Sequence, residues 1–180
     1  MRDVVDPTLT RLRQVHGARV VVVDGAGACT GEEADAAVTT VASAKLAVLT
    51  ADCAPVALAA DGVIGAVHAG WRGLAAGVVR AAVDEMRRLG AGRIEAALGP
   101  CIHAECYEFE DVARWFPPAV RGVTSAGRPS LDVPAAVRAA LAEVDVELVH
   151  DEDVCTACSV EHFSHRARGD AERQAMVVWM

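Results

Sequence analysis

Apolar positions along the chain change period, and period separates strands from helices. Residues 19–23 hold a β-branched run, Val20-Val21-Val22-Val23, that predicts a buried strand. A second strand is expected over residues 46–49, running straight into Thr50-Ala51-Asp52-Cys53. Residues 56–60 and 63–67 are short apolar runs split by Asp61-Gly62, a dipeptide that suits a tight hairpin because both residues tolerate positive φ. From residue 71 to 89 the period lengthens: Leu74, Val78, Ala82, Met86 and Leu89 recur at three- and four-residue spacing, which predicts one amphipathic helix closed by Gly90 in a left-handed cap. Residues 93–98 read as a strand, Trp115-Phe116-Pro117-Pro118 as a break, and 121–130 as a polar loop. Asp132 and Pro134 mark a helix start with Val137 and Leu141 on its apolar face, 144–149 alternates like a strand, and 175–179 is a closing strand. Residues 1–13 are polar and irregular, and an extended, poorly anchored start is expected there.

Strands outnumber helices and several neighbours are hairpin-connected, so the fold class is α+β, with mixed β-sheets covered by a few helices. No internal repeat or linker divides the chain, and a length of 180 residues predicts one domain over 1–180. The formal charge of −8, without a cluster of arginines interleaved with aromatics, argues against a nucleic-acid surface. No apolar run is long enough for a bilayer and no basic-then-apolar start resembles a signal peptide, so a cytoplasmic protein with no membrane partner is expected. Six cysteines in a cytosolic chain of this size point to metal or reactive thiols rather than bridges.

The hairpin carries the chemistry. Cys53 enters its first strand and His68 leaves its second, so antiparallel pairing brings the two together. Taken singly, each has an ordinary structural reading: a free cysteine packs as a small apolar group, and a histidine at a strand end is commonly just hydrogen-bonded. His16, in Gln14-Val15-His16-Gly17, sits at the mouth of the 19–23 strand. Two imidazoles and a thiolate with a fourth position left open make the ligand set of a catalytic zinc site. A metal-free pair, Cys53 as nucleophile and His68 as base, uses the same residues, and copper also suits them. A helix starting near Trp71 would aim its positive end at this region and favour an anion, reinforced by Arg72; the plainer role for Arg72 is an ion pair. A competing constellation is His103-Ala104-Glu105 with Cys155-x-x-Cys158, similar to the ligands of zinc nucleobase deaminases. Against it, Val154 stands where proline is expected, and residues 107–110 leave no room for the required helix. The lone Cys-x-x-Cys lacks the strand-to-helix setting of a thioredoxin-like redox pair.

Six blocks, in order, resemble the laccase-domain or multicopper polyphenol oxidase family, whose members are now regarded as purine nucleoside phosphorylases. They are Gln14-Val15-His16-Gly17; Ala34-Asp35-Ala36 with Val38-Thr39; Thr50-Ala51-Asp52-Cys53 with Pro55-Val56; His68-Ala69-Gly70-Trp71-Arg72-Gly73; Gly99-Pro100-Cys101-Ile102 with Tyr107-Glu108; and Cys155-Thr156 with Phe163-Ser164-His165-Arg166. The resemblance implies that His16, Cys53 and His68 are the catalytic and metal-binding trio, with Arg72 and Arg166 as substrate- or phosphate-binding residues. It implies an α+β sandwich of mixed sheets between helices, similar to a bacterial-toxin cysteine deamidase. It also implies zinc-dependent phosphorolysis of adenosine, inosine, guanosine or methylthioadenosine, with adenosine deamination, so that a purine nucleoside and phosphate are the expected partners. Some bacterial members are credited with removing misincorporated residues from peptidoglycan precursors. Two other readings stand beside this one: a copper-dependent polyphenol oxidase, and a catalytically impaired nucleoside- or muropeptide-binding protein. The chain departs from the family pattern in lacking the usual amino-terminal segment with its Ser-x-Arg, and in Arg168-Gly169-Asp170-Ala171-Glu172-Arg173, which replaces a basic, glycine-containing turn. Cys101 is expected to pack rather than react.

Overall fold

The computed structural model describes residues 6–180. Its strands are β1 (Leu9–Arg11), β2 (Val20–Val22), β3 (Ala36–Thr39), β4 (Lys45–Thr50), β5 (Ala54–Ala60), β6 (Val63–Ala69), β7 (Glu95–Leu98), β8 (Arg121–Val123), β9 (Pro129–Leu131), β10 (Glu147–Asp151) and β11 (Gln174–Val178). The helices are α1 (Trp71–Ala75), α2 (Val78–Arg88), α3 (Val112–Trp115), α4 (Val133–Ala142) and α5 (His165–Arg168). A six-stranded mixed sheet runs β10-β7-β5-β6-β3-β2, a three-stranded sheet runs β1-β4-β11, and β8 pairs with β9. The α+β class with mixed sheets is therefore borne out.

Strands β3 and β6 show why the large sheet is covered on both faces. Successive side chains in a strand point to opposite faces, and here both sets are buried. Ala36, Val38, Val63 and Val67 enter one core with Val79, Val83 and Met86 of α2 and Val137 and Leu141 of α4. Ala37, Ile64 and Ala66 enter a second core with Leu46 and Val48 of β4 and with Met176 and Val178 of β11. Helices thus cover one face and the small sheet the other, which explains the near-continuous apolar runs. Gly65 makes the close approach possible: a Cβ there would lie 3.2 Å from the Met86 sulfur.

The hairpin predicted about Asp61-Gly62 forms, with β5 and β6 antiparallel and Pro55 opposite His68. Several sequence expectations need correction. The single helix over 71–89 is two helices, because Gly77 adopts a left-handed φ of 81° and ends α1 after five residues. Gly90, at φ 97°, closes the second as expected. The polar loop over 121–130 is a hairpin, β8 to β9, turning through Gly127 at φ 74°. The 19–23 run is only half buried: Val21 and Val23 face the core while Val22 is exposed, since β2 is an edge strand. The strand expected over 144–149 starts later, because Val144 and Val146 pack into the helical core before β10 begins. Residues 1–5 of the expected loose start lie outside the described residues; beyond them the chain is anchored, with β1 parallel to β4.

Candidate metal centre and cleft

The site forms where the β5–β6 hairpin opens. Cys53 immediately precedes β5, and His68 is the penultimate residue of β6. His16 reaches them from a loop in the left-handed region, φ 61°. Non-glycine residues hold that conformation only when their surroundings enforce it. Here the enforcing group is Asp35, fully buried at the start of β3. Its carboxylate accepts from the backbone N–H groups of Val15 (3.2 Å), His16 (2.8 Å) and Gly17 (2.7 Å), an anion seated in a nest of amides. The same carboxylate lies 2.8 Å from Nδ1 of His68. It therefore fixes that ring so that Nε2 is the nitrogen left for the site. His16 Nε2 stands 3.8 Å from Cys53 Sγ, the two imidazole rings meet edge-to-face with centroids 4.9 Å apart, and one ligand atom from each of the three residues lies within 4.8 Å of the others.

Those separations suit a tetrahedral zinc ion. Bonds of about 2.0–2.3 Å at tetrahedral angles place ligand atoms roughly 3.3–3.7 Å apart. A carboxylate behind a ligating histidine is the usual outer support of such a site. Three donors on an open cleft leave room for a fourth ligand. The donor chemistry fits zinc, and a thiolate with imidazoles also fits copper.

Asp52 holds the cysteine from the other side. It too has positive φ, 100°. Its carboxylate accepts from the Thr156 hydroxyl and from the backbone N–H of Arg166, each at 2.7 Å. The glycines after His68 are spatial requirements. Gly70 has ordinary extended dihedrals, but a Cβ on it would lie 2.8 Å from His16 Cδ2 and 3.1 Å from Cys53 Sγ. At Gly73 a Cβ would strike the Gly17 carbonyl at 2.9 Å, so α1 can sit against the His16 loop. Gly70→Ala is accordingly expected to weaken metal binding about 10–100-fold, as outer-support changes do, while the overpacking costs about 1–3 kcal/mol. Isothermal titration with zinc beside a thermal melt checks this; unchanged affinity would show that the close approach is irrelevant.

Burial opposes ionisation of Cys53, but the imidazoles of His16 and His68 outweigh it and bring the thiol down to about 6. Burial likewise disfavours the charged His68, and Asp35 with Cys53 outweighs it, raising the ring to about 9. In metal-free protein the signs run oppositely. Cys53, ordinarily at 9.0, contributes stability that is complete above pH 9 and lost as pH falls through 6; His68, ordinarily at 6.5, contributes below pH 6.5 and loses it as pH rises through 9. A thiolate–imidazolium pair thus occupies the interval from about pH 6 to 9. Alkylation of Cys53 by iodoacetamide in chelator-treated protein, followed on its peptide by mass spectrometry, is expected to reach half its plateau rate near pH 6. An inflection at the ordinary thiol value would contradict this.

The trio opens into a cleft of about 580 Å³, within the span of roughly 300–1,000 Å³ usual for small-ligand sites. Arg72 and Arg166 both line it, as does Arg173, which sequence reasoning did not assign. Arg72 stacks on Trp71 with its guanidinium carbon 4.3 Å from the ring centroid, and Arg166 lies 5.0 Å from that of Tyr107. The helix expected to aim its dipole at this cleft is only α1, five residues long, so arginines rather than a macrodipole supply the positive charge. Burial, and then the charge on Cys53, push Tyr107 up and keep it a neutral hydroxyl donor.

The competing constellation is partly assembled elsewhere. Glu105, Cys155 and Cys158 do converge, but the fourth member is Cys106; His103 only approaches Glu105, at 3.8 Å. Asp35, Asp52 and Cys106, like Arg173, had no role assigned from sequence, although Asp35 and Asp52 stand inside recognised blocks.

Comparison with known proteins agrees with this architecture. The family model described as multi-copper polyphenol oxidoreductase laccase matches residues 3–180. A Streptomyces griseus protein named purine nucleoside phosphorylase is 45% identical over 179 residues, covering 94% of this chain and 73% of the relative. A Streptomyces coelicolor protein of the same name is 44% identical, with 98% and 77% covered. The crystal structure of a Neisseria meningitidis protein of the DUF152 family superposes with a TM-score of 0.85 at 31% identity, covering 96% of this chain and 74% of that one. Match to the family model over nearly the whole chain, identity to its relatives and shared fold agree: the chain belongs to the multi-copper polyphenol oxidoreductase laccase family.

Proposed function

We propose that this protein is a purine nucleoside phosphorylase whose centre is His16, Cys53 and His68. The observation that carries it is the convergence of two imidazoles and a thiol on the floor of an arginine-lined cleft, in a chain whose relatives are named for that activity. The trio would hold one zinc ion, which when bound supplies Lewis acidity and lowers the pKa of a coordinated water to ~7.

The remaining work falls to the chain. Arg72 and Arg166 are suited to phosphate, which guanidinium groups engage bidentately. Trp71 and Tyr107 offer aromatic surface for a base and, from Tyr107, a hydroxyl donor. Asp35 keeps the His68 proton on Nδ1 and holds the His16 loop in place.

Adenosine with and without phosphate separates the readings. Adenine formed only with phosphate is phosphorolysis; inosine formed without phosphate is deamination. No turnover by a zinc-loaded sample would favour a nucleoside- or muropeptide-binding protein instead. A copper oxidase would need histidine-rich sites for several coppers, whereas the two ligand clusters among the described residues contain two histidines in all. Oxygen uptake with a phenol, restored by copper and not zinc, would reverse that conclusion.

A further inference from the structure

Outside the cleft the structure gathers a second set of ligands. Cys106 and Cys158 have their sulfurs 3.4 Å apart, and with Cys155 Sγ and a Glu105 carboxylate oxygen they form a group in which every ligand atom lies within 4.8 Å of the others. We propose that Glu105, Cys106, Cys155 and Cys158 form a second metal site, for a thiophilic dication of the zinc class, separate from the His16–Cys53–His68 centre.

Three features favour a cation over a disulfide. A Cys106–Cys158 bond would use two of the four groups and leave Cys155 and Glu105 converging for no purpose. Sulfurs around a tetrahedral zinc with bonds of about 2.3 Å stand roughly 3.8 Å apart, near the separation already present, whereas a disulfide requires contraction to about 2.05 Å. The backbone is also shaped as a ligand scaffold. Cys155 and Cys158 flank a turn in which the N–H groups of Cys158 and Ser159 both donate to the Cys155 carbonyl, and the His103 N–H points at Cys155 Sγ from 3.4 Å. Four protein ligands close a zinc coordination sphere, the mark of a structural site. As each sulfur becomes a ligand its thiol proton passes to water, and Glu105 binds through a carboxylate oxygen.

The location gives the ion a task. It would staple the segment at residues 101–107 to that at 154–158, already joined by a parallel backbone β-bridge at Cys101 and Cys155, whose thiols are free. Tyr107, next to Cys106, lines the cleft, and Thr156, next to Cys155, holds Asp52 beside Cys53. A metal here would support the wall of the cleft without touching substrate.

The test is zinc stoichiometry of reduced, chelator-treated and desalted protein, with cobalt(II) as a spectroscopic probe. Wild type is expected to take up two zinc equivalents, Cys53→Ala one, and Cys158→Ser one. Because Cys158 is exposed, its replacement leaves the core intact. In the Cys53→Ala background zinc should raise the melting temperature, and adding Cys158→Ser should remove that rise and weaken affinity beyond the roughly 100-fold typical of lost outer supports. The sulfur-to-cobalt charge-transfer band should fall by more than half in Cys158→Ser with Cys106→Ser, since the cluster holds three thiolates and the trio one. If the trio binds nothing, wild type takes one equivalent that survives Cys53→Ala and vanishes in Cys158→Ser, which upholds the second site alone. Equal uptake by wild type and Cys158→Ser, with an unchanged cobalt spectrum, overturns it. So does a Cys106–Cys158 disulfide that persists in zinc-saturated protein.

Discussion

Replacing Cys53 with alanine is expected to lower kcat/KM for adenosine phosphorolysis by about 10³-fold or more and to remove one zinc equivalent. Metal-ion catalysis is worth several kcal/mol at the reacting centre, and each 1.36 kcal/mol is a factor of ten. Cys53 is the only sulfur donor of the trio and stands 3.8 Å from His16, so its loss leaves two imidazoles unable to close the site. Cys53 lies just outside β5, at the cleft and half buried, so its replacement does not interrupt the strand. Kinetics and metal analysis on the same preparation check both halves; full activity in a variant without that zinc equivalent would show that the trio does no chemistry.

Asp35→Ala is expected to be the most destabilising single change around the site, by about 3–5 kcal/mol, the range for stripping the partner from a buried charge. That corresponds to a fall in melting temperature of roughly 6–20 °C at 2–4 °C per kcal/mol for a chain of this size. The carboxylate is fully buried and serves three backbone N–H groups and one imidazole, all orphaned together by alanine. Burial opposes its ionisation, yet His68 and the amides of Gly17 and His16 hold its pKa below the ordinary carboxylate value. Its contribution is therefore present above that ordinary value and lost as pH falls through the depressed one. Asp35→Asn separates structure from function: the isostere fills the space, but its NH₂ cannot accept from the amides or from the His68 ring. Metal affinity should drop about 10–100-fold with a smaller loss of stability. Calorimetry of both variants decides; a melt unchanged in Asp35→Ala would mean that His16 is not held by this carboxylate.

The centre was legible where local pattern determined it. Asp61-Gly62 between two apolar runs fixed the hairpin, and the hairpin placed Cys53 near His68 without further information. The link to His16 was carried by resemblance and ligand type, because nothing local ties a loop at residue 16 to residues 53 and 68. The tie is Asp35, whose bonds span 18 to 33 positions along the chain, and such pairings leave no periodic trace. Gly77 was hidden for a different reason: the apolar spacing continues across it, so α1 and α2 read as one helix although a left-handed residue separates them. Cys106 escaped for a third. The cluster with Cys155 and Cys158 is joined by residues 52 positions apart, and His-x-Glu spacing drew attention to His103 instead.

The most direct measurement of the central claim is an anomalous difference map collected at the zinc edge from crystals grown with zinc and substrate-free. A peak is expected within bonding distance of His16 Nε2, Cys53 Sγ and His68 Nε2, with Asp35 behind the third. A map without density at that point, or a His16 ring turned away from the cleft in zinc-soaked crystals, would contradict it.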